Sequence, residues 1–447
     1  MKTKLLLFLI TLFLITACNN PKERNQTVLK ISDEALMDSV QRRTFLYFWD
    51  GAEPVSGMAR ERYHVDGDYG QYSKSTVTSG GSGFGIMAII AATERGWITR
   101  AQALERFERI MIFLENADSF HGVFPHWWNG ETGETVGFSD KDNGGDLVET
   151  SFLIQGLLTL HQYYVNGSES EKALAARIDT LWRNVNWNWY RNNQNVLFWH
   201  WSPEHDWGMN HPIKGFDECL ITYILAACSP THGIPAYVYH EGWARNGDIV
   251  TSVEVEGIPL HLRYNSTANI GPMFWAHYSF LGLNPNGLID RYADYFKEMR
   301  NYTLANRAYC IRNPNGWEGF SEYSWGLTAS YSVRGYFAHE PYQSRDLGVI
   351  APTAALSSIV YTPEYSMQVM RHFYEDLGDR LWGKFGFYDA FSVTEDWFPQ
   401  RYLAIDQGPI TVMIENHRTG LLWNLFMSHP DVQKGLEILD FEYRIKN

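Results

Sequence analysis

The chain has 447 residues and a formal net charge of −14. That length suits two or three ordinary domains or one large one, and the acidity argues against nucleic acid or an anionic membrane as main partner. Aromatic residues make up 15%, with 17 Trp and 26 Tyr. A core alone seldom needs so many indoles, because each N–H wants a partner, whereas flat amphipathic rings suit a cleft that takes a neutral sugar.

Lys2 and Lys4 precede an apolar run from Leu5 to Ala17 that ends at Cys18. The run is too short for a membrane span and right for a signal segment. A small residue directly before a cysteine is the pattern of a bacterial lipoprotein signal, with Cys18 as the lipidated residue; an ordinary signal peptide is the alternative. The expected organisation is therefore signal peptide 1–17, polar tether 18–30 and one domain over 31–447. Asn19 rather than Asp follows Cys18, which points to the outer membrane, facing the periplasm or the cell surface. Cys219, Cys228 and Cys310 are too few for a disulfide framework and lack zinc spacing, so they read as buried small residues.

The first helix is expected over about 33–49, with Leu36, Val40 and Tyr47 on one face. A second runs over about 81–95 and stops at Gly96. Thr99-x-x-Gln102 is a capping box that opens a third, striped by Leu104, Phe107, Met111 and Leu114. Helices over about 146–164 and 168–187 follow, the latter with a Ser168-x-x-Glu171 box. More are expected near 216–228, 269–281, 288–308, 352–360, 364–379 and 409–428. The loops between them are long and aromatic, notably 121–135, 195–207, a hairpin-like 249–264 and 313–336. Helix, decorated loop, helix recurs at roughly 60–70 residues per pair. Six such pairs predict an all-α fold, an (α/α)6 toroid with long loops and minor β-hairpins gathered at one end. An open α-solenoid is the other arrangement, but strict self-similarity is missing.

The densest chemistry lies in Phe138-Ser-Asp-Lys-Asp-Asn-Gly-Gly-Asp-Leu-Val-Glu149. Asp142, Asp146 and Glu149 stand at a helix mouth, after a Gly144-Gly145 turn that can fold Asp142 back toward them. Glycoside cleavage needs one protonated and one ionised carboxyl group, and crowding of like charges at a helix N-terminus separates their proton affinities. Helix capping is the simpler role for Asp146. A calcium loop starting at Asp140 would place Gly144 and Ser151 where an oxygen ligand and a glutamate are needed. Glu218 and Asp406 open two other apolar helices, with Glu415 further along the second. No dinucleotide fingerprint, Walker loop, Gly-x-Ser-x-Gly elbow or His-Glu-x-x-His is present. Gly80-Gly-Ser-Gly-Phe-Gly85 lacks a preceding strand and reads as close backbone packing at a helix start.

Several segments together carry a resemblance over nearly the whole chain: Ser82-Gly-Phe-Gly-Ile-Met-Ala, Glu94-Arg-Gly-Trp-Ile98, Trp325-Gly-Leu-Thr-Ala-Ser330, Ile350-Ala-Pro-Thr-Ala-Ala-Leu356, Asp406-Gln-Gly-Pro and Glu415-Asn-His-Arg-Thr-Gly-Leu-Leu-Trp423. The chain resembles the bacterial glycoamylase-like proteins and, within them, glycoside hydrolase family 144, the β-1,2-glucanases. The resemblance implies an (α/α)6 toroid and inverting hydrolysis of β-1,2-glucan without metal or cofactor. It places the important acids on Asp142, Asp146 and Glu149, the proton donor on Glu218 and a water-activating group on Asp406. Trp128, Tyr323 and Trp325 are expected as sugar platforms and Glu415 as a further substrate contact. The expected partner is a glucan, the membrane is met only through the lipid anchor, and the chain is expected to be a monomer. Another glucan cleaved on the same toroid, or a non-catalytic glycan-binding lipoprotein, are the alternatives.

Overall fold

Two kinds of helix alternate in the computed structural model, which describes residues 31–266 and 270–443. The signal segment, Cys18 and the tether lie outside the described residues, as does nearly all of a first unit, Met1–Ser32; Asp33 opens a second, compact unit. In chain order the helices begin with α1 (Asp33–Trp49), α2 (Ser79–Glu94), α3 (Arg100–Asn116), α4 (Leu147–Tyr164), α5 (Glu169–Asn184), α6 (Leu220–Cys228) and the short α7 (Ala236–Val238). They continue with α8 (Tyr295–Arg312), α9 (Pro352–Leu356), α10 (Pro363–Glu375), α11 (Gly378–Leu381), α12 (Ala404–Thr419), α13 (Leu421–Met427) and α14 (Pro430–Ile438).

Burial sorts them into two rings. In α3, α5 and α10 a single stripe is buried, for example Leu174, Ile178 and Trp182 of α5. In α2 every residue from Ser79 to Ala92 is buried, and so is the whole of α6. A helix covered on all sides must lie inside, between a central axis and an outer layer. The inner ring comprises α2, α4, α6, the 3₁₀ turns Met273–Ala276 and Tyr278–Phe280, α9 with its 3₁₀ extension Ser357–Val360, and α12. Each is preceded by an outer partner, namely α1, α3, α5, α7, α8 and α10. The ring closes where α12 packs on α2. The fold is an (α/α)6 toroid, as expected. Among the described residues no helix is long and apolar enough to cross a membrane.

The tightest seam joins α2 to α4. A Cβ on Gly83 would collide with the Phe152 carbonyl, and one on Gly156 with the Gly83 carbonyl. Only glycine lets these two backbones meet, so the glycine-rich segment does serve close packing at a helix start. Both capping boxes form as expected, Thr99 with Gln102 and Ser168 with Glu171. Cys219, Cys228 and Cys310 are free and buried.

Helix bounds depart from expectation where local chemistry intervenes. The segment expected as a helix over 269–281 is a pair of 3₁₀ turns started by Pro272. The helix expected from 288 starts at Tyr295, because Leu288–Ile289 pairs with Glu442–Tyr443 and Asp294 supplies the cap. The last expected helix starts earlier, at Ala404, carries Pro409 within it and breaks at Gly420 in the left-handed region. The α14 helix went unpredicted, and the hairpin in 249–264 forms at Glu254–Val255 and Ile258–Pro259.

Gly83→Ala is expected to lower stability by at least about 2 kcal/mol, since overpacking against backbone outweighs the gain of about 1 kcal/mol in helix propensity. Denaturant unfolding of the variant checks this. An unchanged midpoint would mean that the α2–α4 seam can give way.

Candidate active site

The inner helices all start at one end of the toroid, and very short strands lead into three of them. Thr76–Thr78 precedes α2, Gly145–Asp146 precedes α4 and Arg401–Leu403 precedes α12. Their partners are Trp127–Asn129, His200–Trp201 and Arg62–His64. These ribbons pin loop residues over the helix N-termini, whose unpaired N–H groups and dipoles favour negative charge. A cavity of about 650 Å³ opens there, walled by Glu61, Arg62, His126, Glu149, Glu218 and a set of aromatic rings. Its size suits a short oligosaccharide better than a single small ion.

Asp146 has two jobs, one per oxygen. Its Oδ1 caps α4, accepting from Val148 N at 3.0 Å and Glu149 N at 2.9 Å. Its Oδ2 faces His126 Nδ1 at 3.1 Å and His200 Nε2 at 3.4 Å. Asp142 folds back as the glycine turn allows, with Oδ2 at 3.1 Å from His200 Nε2 and 3.6 Å from His126 Nδ1. Two imidazoles thus bridge two carboxylates. Burial opposes ionisation of Asp146, but the hydrogen bonds and charges of His126 and His200 outweigh it and hold the group well below the usual carboxylate range. Asp142 is likewise lowered by the same two rings against the effect of burial. Burial disfavours charge on His200 too, yet Asp142 and Asp146 raise it to about 9. His126 also rises well above its ordinary value, its burial outweighed by Glu149, Asp142 and Asp146.

Glu149 and Glu218 are placed differently. Glu149 Oε2 accepts from Gly80 N at 2.8 Å and Thr78 Oγ1 at 3.3 Å, while Oε1 lies 3.9 Å from His126 Nε2. Burial still wins and raises its proton affinity. Glu218 sits just before α6, its carbonyl held by the Ser279 hydroxyl, and lines the cavity with no cation against it among the described residues. Burial, then the charge of the adjacent Asp217, pushes it well above the ordinary range. Asp217 is itself pushed up to about 7 by burial. Asp406 lies one residue beyond the cavity-lining Ile405, fully buried against Asp389. Burial and the neighbouring charge raise Asp406, and burial raises Asp389 to about 6, so the pair holds a proton near neutrality.

The structure therefore sets Glu149 and Glu218 on the wall of one cavity, with Asp142 and Asp146 behind the wall residue His126 and Asp406 behind Ile405. It does not bring the other expected contacts there. Trp128 is fully buried against Phe113 and Phe124, its indole donating to the Asp118 carbonyl at 3.0 Å. Strand alternation sends its neighbour Trp127 to the cavity instead. Trp325 is also fully buried and cannot present a ring face. Tyr323 is half exposed but lies off the cavity wall. Glu415 pairs with Arg95 at 2.8 Å and accepts from Gln41 at 2.9 Å. Nine residues along α12 from Asp406, it sits about 14 Å away, toward the far end of the ring. The aromatic side chains that do line the cavity are Tyr72, Trp127, Phe138, Phe152, Trp199, Phe274, Tyr278 and Tyr336. Phe138 stacks on His126 with centroids 4.3 Å apart, and Arg62 covers Tyr72 at 3.4 Å.

Among the described residues two sets of donor atoms are close enough to hold a cation, His126 with Asp142 and Asp146, and Asp217 with Glu218 and Cys219. In the first, His126 Nδ1 and His200 Nε2 already serve as hydrogen-bond donors to these carboxylates.

The Glycoamylase family model matches residues 210–430. A Bacteroides caccae protein is 67% identical, covering 92% of this chain and all of that one, with a TM-score of 0.91. The endo-β-1,2-glucanase of Chitinophaga pinensis, solved with sophorotriose and glucose, is 62% identical over 92% of this chain and 99% of that one, also with a TM-score of 0.91. This chain belongs to glycoside hydrolase family 144. A third family relative, the exo β-1,2-glucooligosaccharide sophorohydrolase of Parabacteroides distasonis, is 45% identical over 95% of this chain. The chain spans 60% of that relative's length. The β-1,2-glucanase structure from that organism superposes with a TM-score of 0.86.

The residues that sequence reasoning missed in this family-144 site are its cations and its rings. His126 and Trp127, and Trp199 and His200, stood in loops already notable for aromatics, so the signal was compositional and lacked a spacing rule. Asp389 had no signal, since it reaches Asp406 from a distant loop.

A pH dependence of stability follows from His200. Its folded-state affinity is raised, so the stabilisation is complete below about pH 6.5, the unfolded value. It is lost as pH rises toward about 9. The difference in denaturation midpoint between wild type and His200→Gln should therefore be largest near pH 6 and shrink toward pH 9.5. A difference that stays constant over that range would contradict a charged His200.

Proposed function

We propose that this chain hydrolyses β-1,2-glucan, with Glu218 as the general acid. The observation that carries the reading is the contrast among buried carboxyls on and just behind one cavity wall: Glu218, with no cation against it among the described residues, is pushed toward its protonated form, whereas Asp142 and Asp146 are held ionised by two histidines. That division of labour is what glycosidic cleavage requires. The substrate comes from the relatives, which are named for β-1,2-glucan and its oligosaccharides. The full-length match to the Chitinophaga pinensis endo-enzyme favours cutting inside the chain, with inversion at the anomeric carbon.

In this reading Glu218 protonates the departing glycosidic oxygen. Glu149, the member of the Asp142–Asp146–Glu149 group on the cavity wall, faces the sugar ring on which positive charge develops. The Asp389–Asp406 pair, carrying one negative charge near neutrality, accepts the proton of the attacking water. Because Asp406 is buried behind the wall, that transfer runs through a substrate hydroxyl or an intervening water. Tyr72, Trp127 and Phe138 offer ring faces for sugar units on either side of the cut. The signal sequence supports an enzyme tethered to the cell envelope through Cys18, in the outer membrane.

Glu218→Gln should lower kcat on β-1,2-glucan by about 100- to 10,000-fold with the fold intact, as loss of a general acid does. Near-normal turnover would remove Glu218 from the mechanism. Wild-type enzyme should release a mixture of oligosaccharides from linear β-1,2-glucan and leave laminarin and starch uncut. Sophorose as the sole product would overturn internal cutting, and starch cleavage would overturn the substrate.

A further inference from the structure

Tyr278 belongs to the 3₁₀ turn Tyr278–Phe280 of the inner ring and lines the cavity, as do Glu149, Glu218 and Tyr336. Its ring is gripped by Phe84, Phe152 and Phe274, at centroid distances of 5.2, 5.5 and 5.0 Å. Its carbonyl accepts from Gln155 Nε2 at 3.0 Å, and the next residue, Ser279, donates to the Glu218 carbonyl. Backbone and ring are thus both fixed, and the backbone is fixed relative to Glu218 itself.

The hydroxyl is different. The residue is only 5% exposed, yet its hydroxyl oxygen has no hydrogen-bond partner among the described residues. Burying such a group unpaired is costly, and folded proteins rarely leave one so without a purpose. Of the buried hydroxyls left unpaired among the described residues, Tyr278 is the one on the cavity wall. Burial, reinforced by Asp406, Tyr336, Glu149 and Glu218, keeps the phenol protonated, so it has a proton to donate.

We infer that Tyr278 is a substrate-contacting residue whose hydroxyl donates a hydrogen bond to a hydroxyl of the sugar unit bound between Glu149 and Glu218. The inference rests on the reading of the site as a glucan hydrolase. A sugar hydroxyl supplies the partner that the described residues withhold. A substrate lacking that hydroxyl would leave the phenol unpaired, which makes the position a discriminator among glucans.

Tyr278→Phe keeps the ring and its three aromatic neighbours and deletes only the oxygen. The expected result is a fall of about 10- to 100-fold in kcat/KM on β-1,2-glucan with a thermal midpoint equal to or above that of wild type. A purely structural hydroxyl would give the opposite pairing, a lowered midpoint with kcat/KM within about two-fold of wild type per folded molecule. That result, or unchanged kcat/KM with an unchanged midpoint, overturns the inference. Should wild type prefer another glucan, the substrate reading fails alone, and the same comparison on that glucan decides Tyr278. If wild type cleaves none, both fall.

Discussion

Several carboxyl groups are buried around one cavity, and the charge they can carry there sets every other feature of the site. Ionised carboxylates in a dry wall must be paired or must take up protons. Two imidazoles are on hand for this, and both are committed to Asp142 and Asp146. Glu149 keeps partial support from Gly80 N and Thr78, and among the described residues Glu218 and Asp406 have no cation beside them. Unequal pairing turns one residue type into acids of different strength, which is the precondition for acid–base chemistry at a single pH.

The scaffold makes this arrangement possible by collecting helix starts. Six inner segments run the same way, so their N-terminal N–H groups and partial positive charges face a common end. Asp146 and Glu149 use those N–H groups directly, one by capping α4 and one by reaching across to Gly80 on α2. That reach depends on the Gly83–Gly156 contact, which draws the two helices together. The pairing of Gly145–Asp146 with His200–Trp201 then brings an imidazole from a distant loop onto the same carboxylates.

Much of the scaffold was legible in the sequence because it obeys local rules. Capping boxes, apolar periodicity and the spacing of helical pairs require only neighbours along the chain. The acids at helix starts were legible for the same reason. Their partners were not, because His126, His200 and Asp389 meet them through tertiary contacts with no sequence period. Trp127 and Trp128 show the finest limit: adjacent tryptophans on one short strand point oppositely, and the register that puts Trp127 in the cavity is set by pairing with Thr78 across the sheet. Glu415 misled for a related reason. It lies on the same helix as Asp406, but helical rise carries it toward the other end, into an ion pair with Arg95.

The central claim is that Glu218 holds a proton at neutral pH while Asp142 and Asp146 do not. Infrared difference spectroscopy of wild type against Glu218→Gln at pH 7 reads this directly. The substitution should remove the C=O stretch of a protonated carboxylic acid and leave the carboxylate bands unchanged. Loss of a carboxylate band instead would show Glu218 ionised at neutral pH and unable to serve as the acid.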